Sequence, residues 1–169
     1  MPGTRLLVIV RHAKSAWPPG VADHRRPLND RGHRDAPAAG RWLAETLTDG
    51  VDLILHSPAL RATDTAALLA AELDPAPALR VERRLYPDGA DTVQDGPQVV
   101  LAIARDLPAE VRTAVLVGHN PELEFAIRML SGADITMRTS TVAVLAVSGG
   151  WADLAPGAAT LTVTATPRG

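Results

Sequence analysis

The sequence predicts a three-layer α/β fold, in which a mostly parallel central sheet carries helices on both faces and includes an antiparallel edge strand. Three short apolar runs, at residues 6–10, 52–56 and 113–117, predict buried strands of a parallel sheet. Polar residues follow each run, and stretches with helical spacing lie between the runs. Strand and helix signals that alternate in this way are typical of helices packed on a largely parallel sheet.

The segment after the first strand predicts a loop and then a helix. Residues 17–29 are rich in Pro, Gly, Asp and Arg and lack helical periodicity, which indicates a loop. Because Pro37 would remove a backbone donor inside a helix, we expect the helix to begin near Asp35, with Pro37 in its first turn, and to end near Leu47. A kinked helix that begins earlier is the alternative.

Two further helices are expected directly after strand ends. Ser57 followed by Pro58 has the pattern of an N-cap and a first helical residue, and this helix is expected to continue through Leu73. An Asn-Pro pair at 120–121 repeats the pattern before a helix that ends near residue 131. Helix N-termini are therefore expected beside the ends of two central strands.

The remaining elements complete the sheet and its helical layers. Residues 79–83 predict a short strand, and residues 92–107 predict a helix that a Gly-Pro pair disturbs near its start. The segments 141–147 and 159–165 alternate apolar with small or polar residues. We expect them to close the sheet, with at least one of them antiparallel.

Length and composition predict one folded domain that spans residues 1–169. The chain has 169 residues, 46% of them hydrophobic, which is enough for a substantial core. A net charge of −2 gives no overall attraction to nucleic acid or to an anionic membrane. The chain has no cysteine, and no run resembles a signal peptide or a membrane span, so we expect a cytoplasmic protein.

Cationic and imidazole side chains follow the three central strands. Arg11 and His12 come directly after the first strand, Arg61 comes shortly after the second, and His119 follows the third. The carboxyl ends of parallel strands form the edge of an α/β sheet where ligands bind. Arginines and helix N-termini at this edge together predict an anion site.

These residue types suit the binding and transfer of a phosphoryl group. A planar guanidinium can bind two phosphoryl oxygens at once, and a neutral imidazole can attack phosphorus to form a covalent phosphohistidine. Neighbouring arginines favour a neutral imidazole, whereas a bound dianion favours the charged form. The sequence therefore leaves the protonation state of His12 and of His119 open.

Four motifs occur in order along most of the chain. They are RHA at 11–13, RPLN at 26–29 followed by RG at 31–32, SPALRATDTA at 57–66 and VGHNP at 117–121. Together they resemble the histidine phosphatase superfamily, also called phosphoglycerate mutase-like, and within it the SixA-like phosphohistidine phosphatases. The resemblance implies the phosphoglycerate mutase-like fold, phosphatase activity, no metal and no organic cofactor.

The resemblance also implies roles for individual residues. His12 would be the phosphorylated nucleophile, while Arg11, Arg61 and His119 would bind and stabilise the transferred group. Three neighbours of these residues, Ser15, Gly118 and Asn120, are further candidates for substrate binding. For Ser15, a hydroxyl that simply faces water is an equally open reading.

One departure from the family concerns the acid that protonates the leaving group. Larger members usually carry a glutamate shortly after the third strand, and residues 84–91 contain none. Asp88 and Asp91 are candidates for this role, although aspartates in turns commonly cap the backbone. A phosphohistidine whose other ring nitrogen is protonated leaves as neutral imidazole, so we expect a preference for phosphoramidates over alkyl phosphates.

The sequence therefore predicts a phosphatase that acts on phosphohistidine in proteins, without a metal. A broad small-molecule phosphomonoesterase is the first alternative, and a phosphate-recognition module without turnover is the second. The expected partner is a phosphorylated protein or a small phosphate, with no nucleic acid and no membrane. A zinc site is disfavoured because the chain lacks His-Glu-x-x-His or cysteine spacing and because arginines would repel a cation.

Overall fold

The computed structural model describes residues 3–86 and 96–169, which form a six-stranded mixed sheet between two layers of helices. The strands are β1 (Arg5–Arg11), β2 (Leu53–His56), β3 (Ala78–Val81), β4 (Thr113–Gly118), β5 (Val142–Val147) and β6 (Ala159–Ala165). The helices are α1 (Asp30–Thr46), α2 (Leu60–Ala70), α3 (Gly96–Arg105) and α4 (Glu122–Ser131). Over the described residues, none of the helices has the length and apolar character needed to cross a bilayer.

The sheet has the strand order β3-β2-β4-β1-β5-β6. The strands β3, β2, β4 and β1 pair in parallel, while β5 pairs antiparallel with β1 and with the edge strand β6. The predicted α/β fold class is therefore confirmed. Because β1 and β4 are adjacent and parallel, their carboxyl ends lie side by side at one edge of the sheet.

Alternate residues of the central strands enter two separate hydrophobic cores. On β1, Leu7 and Ile9 pack in the core with residues of α3 and α4, and Val8 and Val10 pack in the core with residues of α1 and α2. All four side chains are fully buried. The sequence of a strand that is covered on both faces is a continuous run of apolar residues, as it is in β1. Polar residues at the end of β1 are therefore placed at the edge of the sheet.

The helix α1 begins at Asp30, five residues before the expected start, and it contains Pro37 in its interior. The expectation of a start near Asp35 was wrong because the first turns are capped and also pack on the protein, where Gly32, Asp35 and Ala36 are buried. The side chain of Asn29 accepts a hydrogen bond of 2.9 Å from the backbone N–H of Gly32, which caps the helix. Gly32 also allows close packing, since a Cβ there would lie 2.2 Å from the carbonyl oxygen of Lys14.

The two predicted N-caps after strand ends are also corrected. The helix α2 begins after Ala59 and ends at Ala70, and α4 begins after Pro121, in both cases without a side-chain cap. Ser57 Oγ bonds His119 Nε2 and accepts from the backbone N–H of Ala59, and Asn120 Nδ2 donates to the side chain of Glu124, so neither side chain accepts from a backbone N–H of the first helical turn. The expected start of the third helix at residue 92 lies outside the described residues.

Candidate active site

The four residues predicted to act on phosphate lie together at the carboxyl edge of the sheet. Arg11 is the last residue of β1 and His12 follows it, while His119 follows the adjacent strand β4. The ring centroids of the two histidines are 5.1 Å apart. Arg61 lies in the first turn of α2 and its charge acts on both rings. His12, Arg61 and His119 are all buried.

The hydrogen bonds of His12 define which ring nitrogen can react. Its Nδ1 lies 2.7 Å from the carbonyl oxygen of Ala13, which can only accept, so Nδ1 carries the proton. Burial lowers the pKa of His12 to about 4, the hydrogen bond to Ala13 opposes this shift, and the charges of Arg61, Arg11 and Arg26 add to it. The ring is therefore neutral at pH 7, with the free lone pair on Nε2.

The ring of His119 is held by the hydroxyl of Ser57. The backbone N–H of Ala59 donates to Ser57 Oγ at 3.2 Å, and Ser57 Oγ lies 2.7 Å from His119 Nε2. A His119 ring that accepts from this hydroxyl carries its proton on Nδ1, and one that donates to it carries its proton on Nε2. Burial lowers the pKa of this ring to about 3, and the charge of Arg61 adds to the shift.

The guanidinium of Arg11 is positioned by a loop that α4 holds. Its Nη1 donates to the carbonyl oxygen of Met137 at 2.9 Å. The same carbonyl accepts from Asn120 Nδ2, and the backbone N–H of Met137 donates to the carboxylate of Glu124 at 2.7 Å. Asn120 Nδ2 also donates to this carboxylate. These contacts hold Arg11 before any ligand is bound.

Arg61 is held from two directions. Its Nη1 and Nη2 donate to the backbone oxygen and the carboxylate of Asp23, at 2.7 and 3.0 Å. Its own carbonyl oxygen accepts from the hydroxyl of Thr65, which in turn accepts from the backbone N–H of Ala13 at 3.0 Å. Thr65 therefore connects the Arg61 turn of α2 to the backbone that orients His12.

Three of these side chains also carry buried nitrogens that have no hydrogen-bond partner within residues 3–86 and 96–169. They are Arg11 Nε, Arg61 Nε and His119 Nδ1. A buried donor left unpaired costs about 1–3 kcal/mol, so native structures rarely leave several in one place. The oxygens of a phosphoryl group bound here would meet the positive charge of both guanidinium groups. The cluster is therefore suited to a phosphoryl group beside His12.

The remaining predicted site residues adjoin the cluster. Ser15 Oγ accepts from Arg26 Nη1 at 2.8 Å, and the backbone oxygen of Gly118 accepts from the backbone N–H of His12 at 3.0 Å. Asn120 Nδ2 is bonded to the Met137 loop as described above. Contacts of Ser15, Gly118 and Asn120 with a substrate stay predictions. Asp88 and Asp91 lie outside the described residues.

Sequence reasoning gave no specific role to three contributors. Ser57 was interpreted as a helix cap, although its hydroxyl bonds His119. Asp23 was covered only by the predicted loop of residues 17–29. Tyr86 donates to the Asp23 carboxylate at 2.6 Å, and its ring centroid lies 5.6 Å from that of His119. Only the strand-end position of Ser57 could have signalled such a role.

Comparison with known proteins gives consistent results. A family model described as histidine phosphatase superfamily (branch 1) matches residues 7–86. An uncharacterized protein of Mycobacterium tuberculosis is 41% identical over 170 residues, covering 94% of this chain and 100% of that protein. A structure from Nakamurella multipartitia, whose description proposes a phosphohistidine phosphatase SixA, is 32% identical with a TM-score of 0.83, covering 98% of this chain and 97% of that chain.

A second solved structure shows the same fold at lower identity. It is the protein histidine phosphatase SixA complexed with tungstate, with a TM-score of 0.75 and 21% identity, covering 96% of this chain and 97% of that chain. At this identity the likeness concerns the fold alone.

Proposed function

Because this chain belongs to the histidine phosphatase superfamily and is a phosphatase, we propose that it removes phosphate from phosphohistidine on proteins, through a phosphorylated His12 and without a metal. The SixA assignment of the relative from Nakamurella multipartitia supports the choice of substrate. The residues of the site support the choice of nucleophile.

The observation that carries the proposal is the tautomer of His12. Because Nδ1 is bonded to the carbonyl oxygen of Ala13, the lone pair available to phosphorus is the one on Nε2. The unpaired nitrogens of Arg11, Arg61 and His119 belong to the side chains grouped with this ring. A nucleophile beside several unpaired cationic or N–H donors is the arrangement that phosphoryl transfer needs.

The reaction then takes two steps. In the first step His12 Nε2 forms a bond to phosphorus, the bond from phosphorus to the leaving nitrogen breaks, and its electron pair departs with that nitrogen. Arg11, Arg61 and His119 stabilise the charge on the phosphoryl oxygens during the transfer. In the second step a water oxygen forms a bond to phosphorus and the bond from phosphorus to His12 Nε2 breaks, with its electron pair returning to that nitrogen. Inorganic phosphate then leaves with the two protons of the water, and His12 is neutral again. A neutral His12 at the start of the cycle follows from its low pKa.

Two observations support metal independence. Within residues 3–86 and 96–169, no group of three or more His, Asp or Glu side chains is arranged so that it could hold a metal ion. The arginines of the site supply the positive charge that a metal would provide in other phosphatases. A divalent cation would meet repulsion from these arginines.

One assay tests the proposal. The protein is incubated in excess chelator with a phosphohistidine-bearing protein and, separately, with an aryl phosphate, and the release of inorganic phosphate is followed. His12→Ala is the inactive comparison, and His33→Ala, at an exposed position on α1, is the matched control. We expect release from both substrates by the unmodified protein and the control, faster from phosphohistidine, and almost none by His12→Ala.

Each part of the proposal has its own contrary result. Activity that remains in His12→Ala would move the nucleophile to another residue. Loss of activity in chelator, restored by a divalent cation, would contradict metal independence. Turnover of the aryl phosphate with none of phosphohistidine would favour a small-molecule phosphomonoesterase.

A further inference from the structure

The carboxylate of Asp23 is bound by three donors at the solvent side of the site. Arg61 Nη2 donates to Oδ2 at 3.0 Å, Tyr86 Oη donates to the same oxygen at 2.6 Å, and Arg26 Nε donates to Oδ1 at 3.1 Å. The Asp23 side chain is 52% exposed, whereas that of Arg61 is 7% exposed. Asp23 thus lies between the buried phosphate-binding groups and solvent.

Asp23 connects the buried groups of the site to its exposed rim. The nucleophile His12 and the side chains of Arg61 and His119 are buried, so the part of a substrate that carries the phosphoryl group into the site extends outward from them. Asp23 contacts Arg61 directly, and Tyr86 bridges Asp23 to the ring of His119. A leaving group that extends outward past Arg61 and His119 would pass beside these two side chains.

The carboxylate keeps its negative charge throughout the physiological pH range. Burial raises the pKa of Asp23, but hydrogen bonds from Tyr86, Arg61 and Arg26 outweigh burial and hold the pKa well below its ordinary value. An ionised carboxylate accepts hydrogen bonds and cannot donate a proton. The bonds from Arg26 and Tyr86 hold Asp23 at the rim independently of Arg61.

We propose that Asp23 determines specificity by accepting a hydrogen bond from an N–H of the leaving group, which selects phosphorylated nitrogen bases over phosphate esters. In a phosphohistidine substrate, that N–H belongs to the ring nitrogen that does not carry phosphorus. While it is held, the P–N bond breaks, its electron pair goes to the leaving nitrogen, and the ring departs as neutral imidazole with no proton transferred. An ester oxygen has no such N–H, and Asp23 has no proton to give to the departing oxygen.

This inference rests on the proposed function and adds a residue to it. Removal of a charge-assisted hydrogen bond is expected to cost ten- to a hundredfold in kcat/KM for the substrate that uses it. Asp23→Asn keeps the shape of the side chain and removes its charge. Glu72→Gln is the matched control, because it removes the charge of a carboxylate that pairs with Arg41 at 3.4 Å on the protein surface.

The experiment measures kcat/KM of both variants and of the unmodified protein for a phosphohistidine peptide and for an aryl phosphate. We expect Asp23→Asn to lower the ratio of the two constants, phosphohistidine over aryl phosphate, at least tenfold, and Glu72→Gln to keep it. A larger loss for the aryl phosphate would make Asp23 a proton donor. An equal loss for both substrates would make it a positioning residue for Arg61. Either result would overturn the proposal.

Binding of inorganic phosphate shows whether the variant site is intact. In calorimetry, the dissociation constant of Asp23→Asn for inorganic phosphate should be no higher than that of the unmodified protein, since the variant removes a negative charge beside the anion. Weaker binding would show that Arg61 has lost its position and would contradict the inference. The proposed function fails by different results: an unmodified protein that releases no phosphate from phosphohistidine, or a His12→Ala variant that still does.

Discussion

Burial of a neutral His12 predicts a specific dependence of stability on pH. The folded protein holds the pKa of this ring at about 4, against an ordinary value of 6.5. Below pH 6.5 the unfolded chain therefore binds a proton at this position that the folded protein excludes, so the folded state loses stability as the pH falls from 6.5 toward 4. At pH 8 the ring is neutral in both states, so its protonation does not affect the free energy of unfolding.

The magnitude follows from the pKa shift. At pH 5 the unfolded ring lies 1.5 pH units below the ordinary pKa of 6.5, while the folded ring is still mostly neutral. At 1.36 kcal/mol per unit, the penalty is about 2 kcal/mol. His12→Gln removes the titrating ring. Between pH 8 and pH 5, the free energy of unfolding of this variant should therefore decrease by about 2 kcal/mol less than that of the unmodified protein.

Urea denaturation in phosphate-free buffer at the two pH values measures this difference. His33→Gln is the control, because this side chain is exposed on α1 and should leave the pH dependence of the unmodified protein in place. The same loss of free energy in His12→Gln as in the unmodified protein would refute the reasoning. It would mean that His12 takes up a proton in the folded protein and is not a ready nucleophile at acidic pH.

Further predictions concern single substitutions. Ser57→Ala should lower kcat/KM for an aryl phosphate about tenfold, because His119 loses the hydrogen bond that orients its ring; unchanged steady-state kinetics would contradict this. Gly32→Ala should lower the free energy of unfolding in urea by about 1–3 kcal/mol, because its Cβ would lie 2.2 Å from the carbonyl oxygen of Lys14. Thr65→Val should lower the free energy of unfolding by a similar amount and Thr65→Ser should not, since only the valine leaves the buried N–H of Ala13 unpaired. An equal loss of stability in both variants would mean that the methyl group of Thr65 matters instead.

The fold and the main site residues could be predicted because they depend on strong local signals. The apolar runs of β1 and β4 are covered on both faces, so their length and composition identify them, and parallel pairing then places Arg11, His12 and His119 at one edge. Four ordered motifs supplied the same residues independently.

What the sequence did not reveal was the use of individual hydrogen bonds. Ser57 followed by proline has the pattern of an N-cap, but its hydroxyl bonds His119, which is distant in the chain, and helix α2 begins without it. The side chain of Asn120 likewise donates a hydrogen bond to the carbonyl oxygen of Met137. Local propensity is overridden at these positions because the site uses the same polar groups. The role of Asp23 depends on contacts across 38 residues and more, which no local pattern contains.

The most direct test of the account is the identity of the phosphorylated atom. A phosphohistidine protein labelled on phosphorus is mixed with excess enzyme, the reaction is stopped within milliseconds in alkali to preserve P–N bonds, and the labelled peptide is mapped. We predict that the label lies on Nε2 of His12, because Nδ1 is bonded to the carbonyl oxygen of Ala13. Label on Nδ1, label on another residue, or turnover with no labelled enzyme at any time would contradict the central claim.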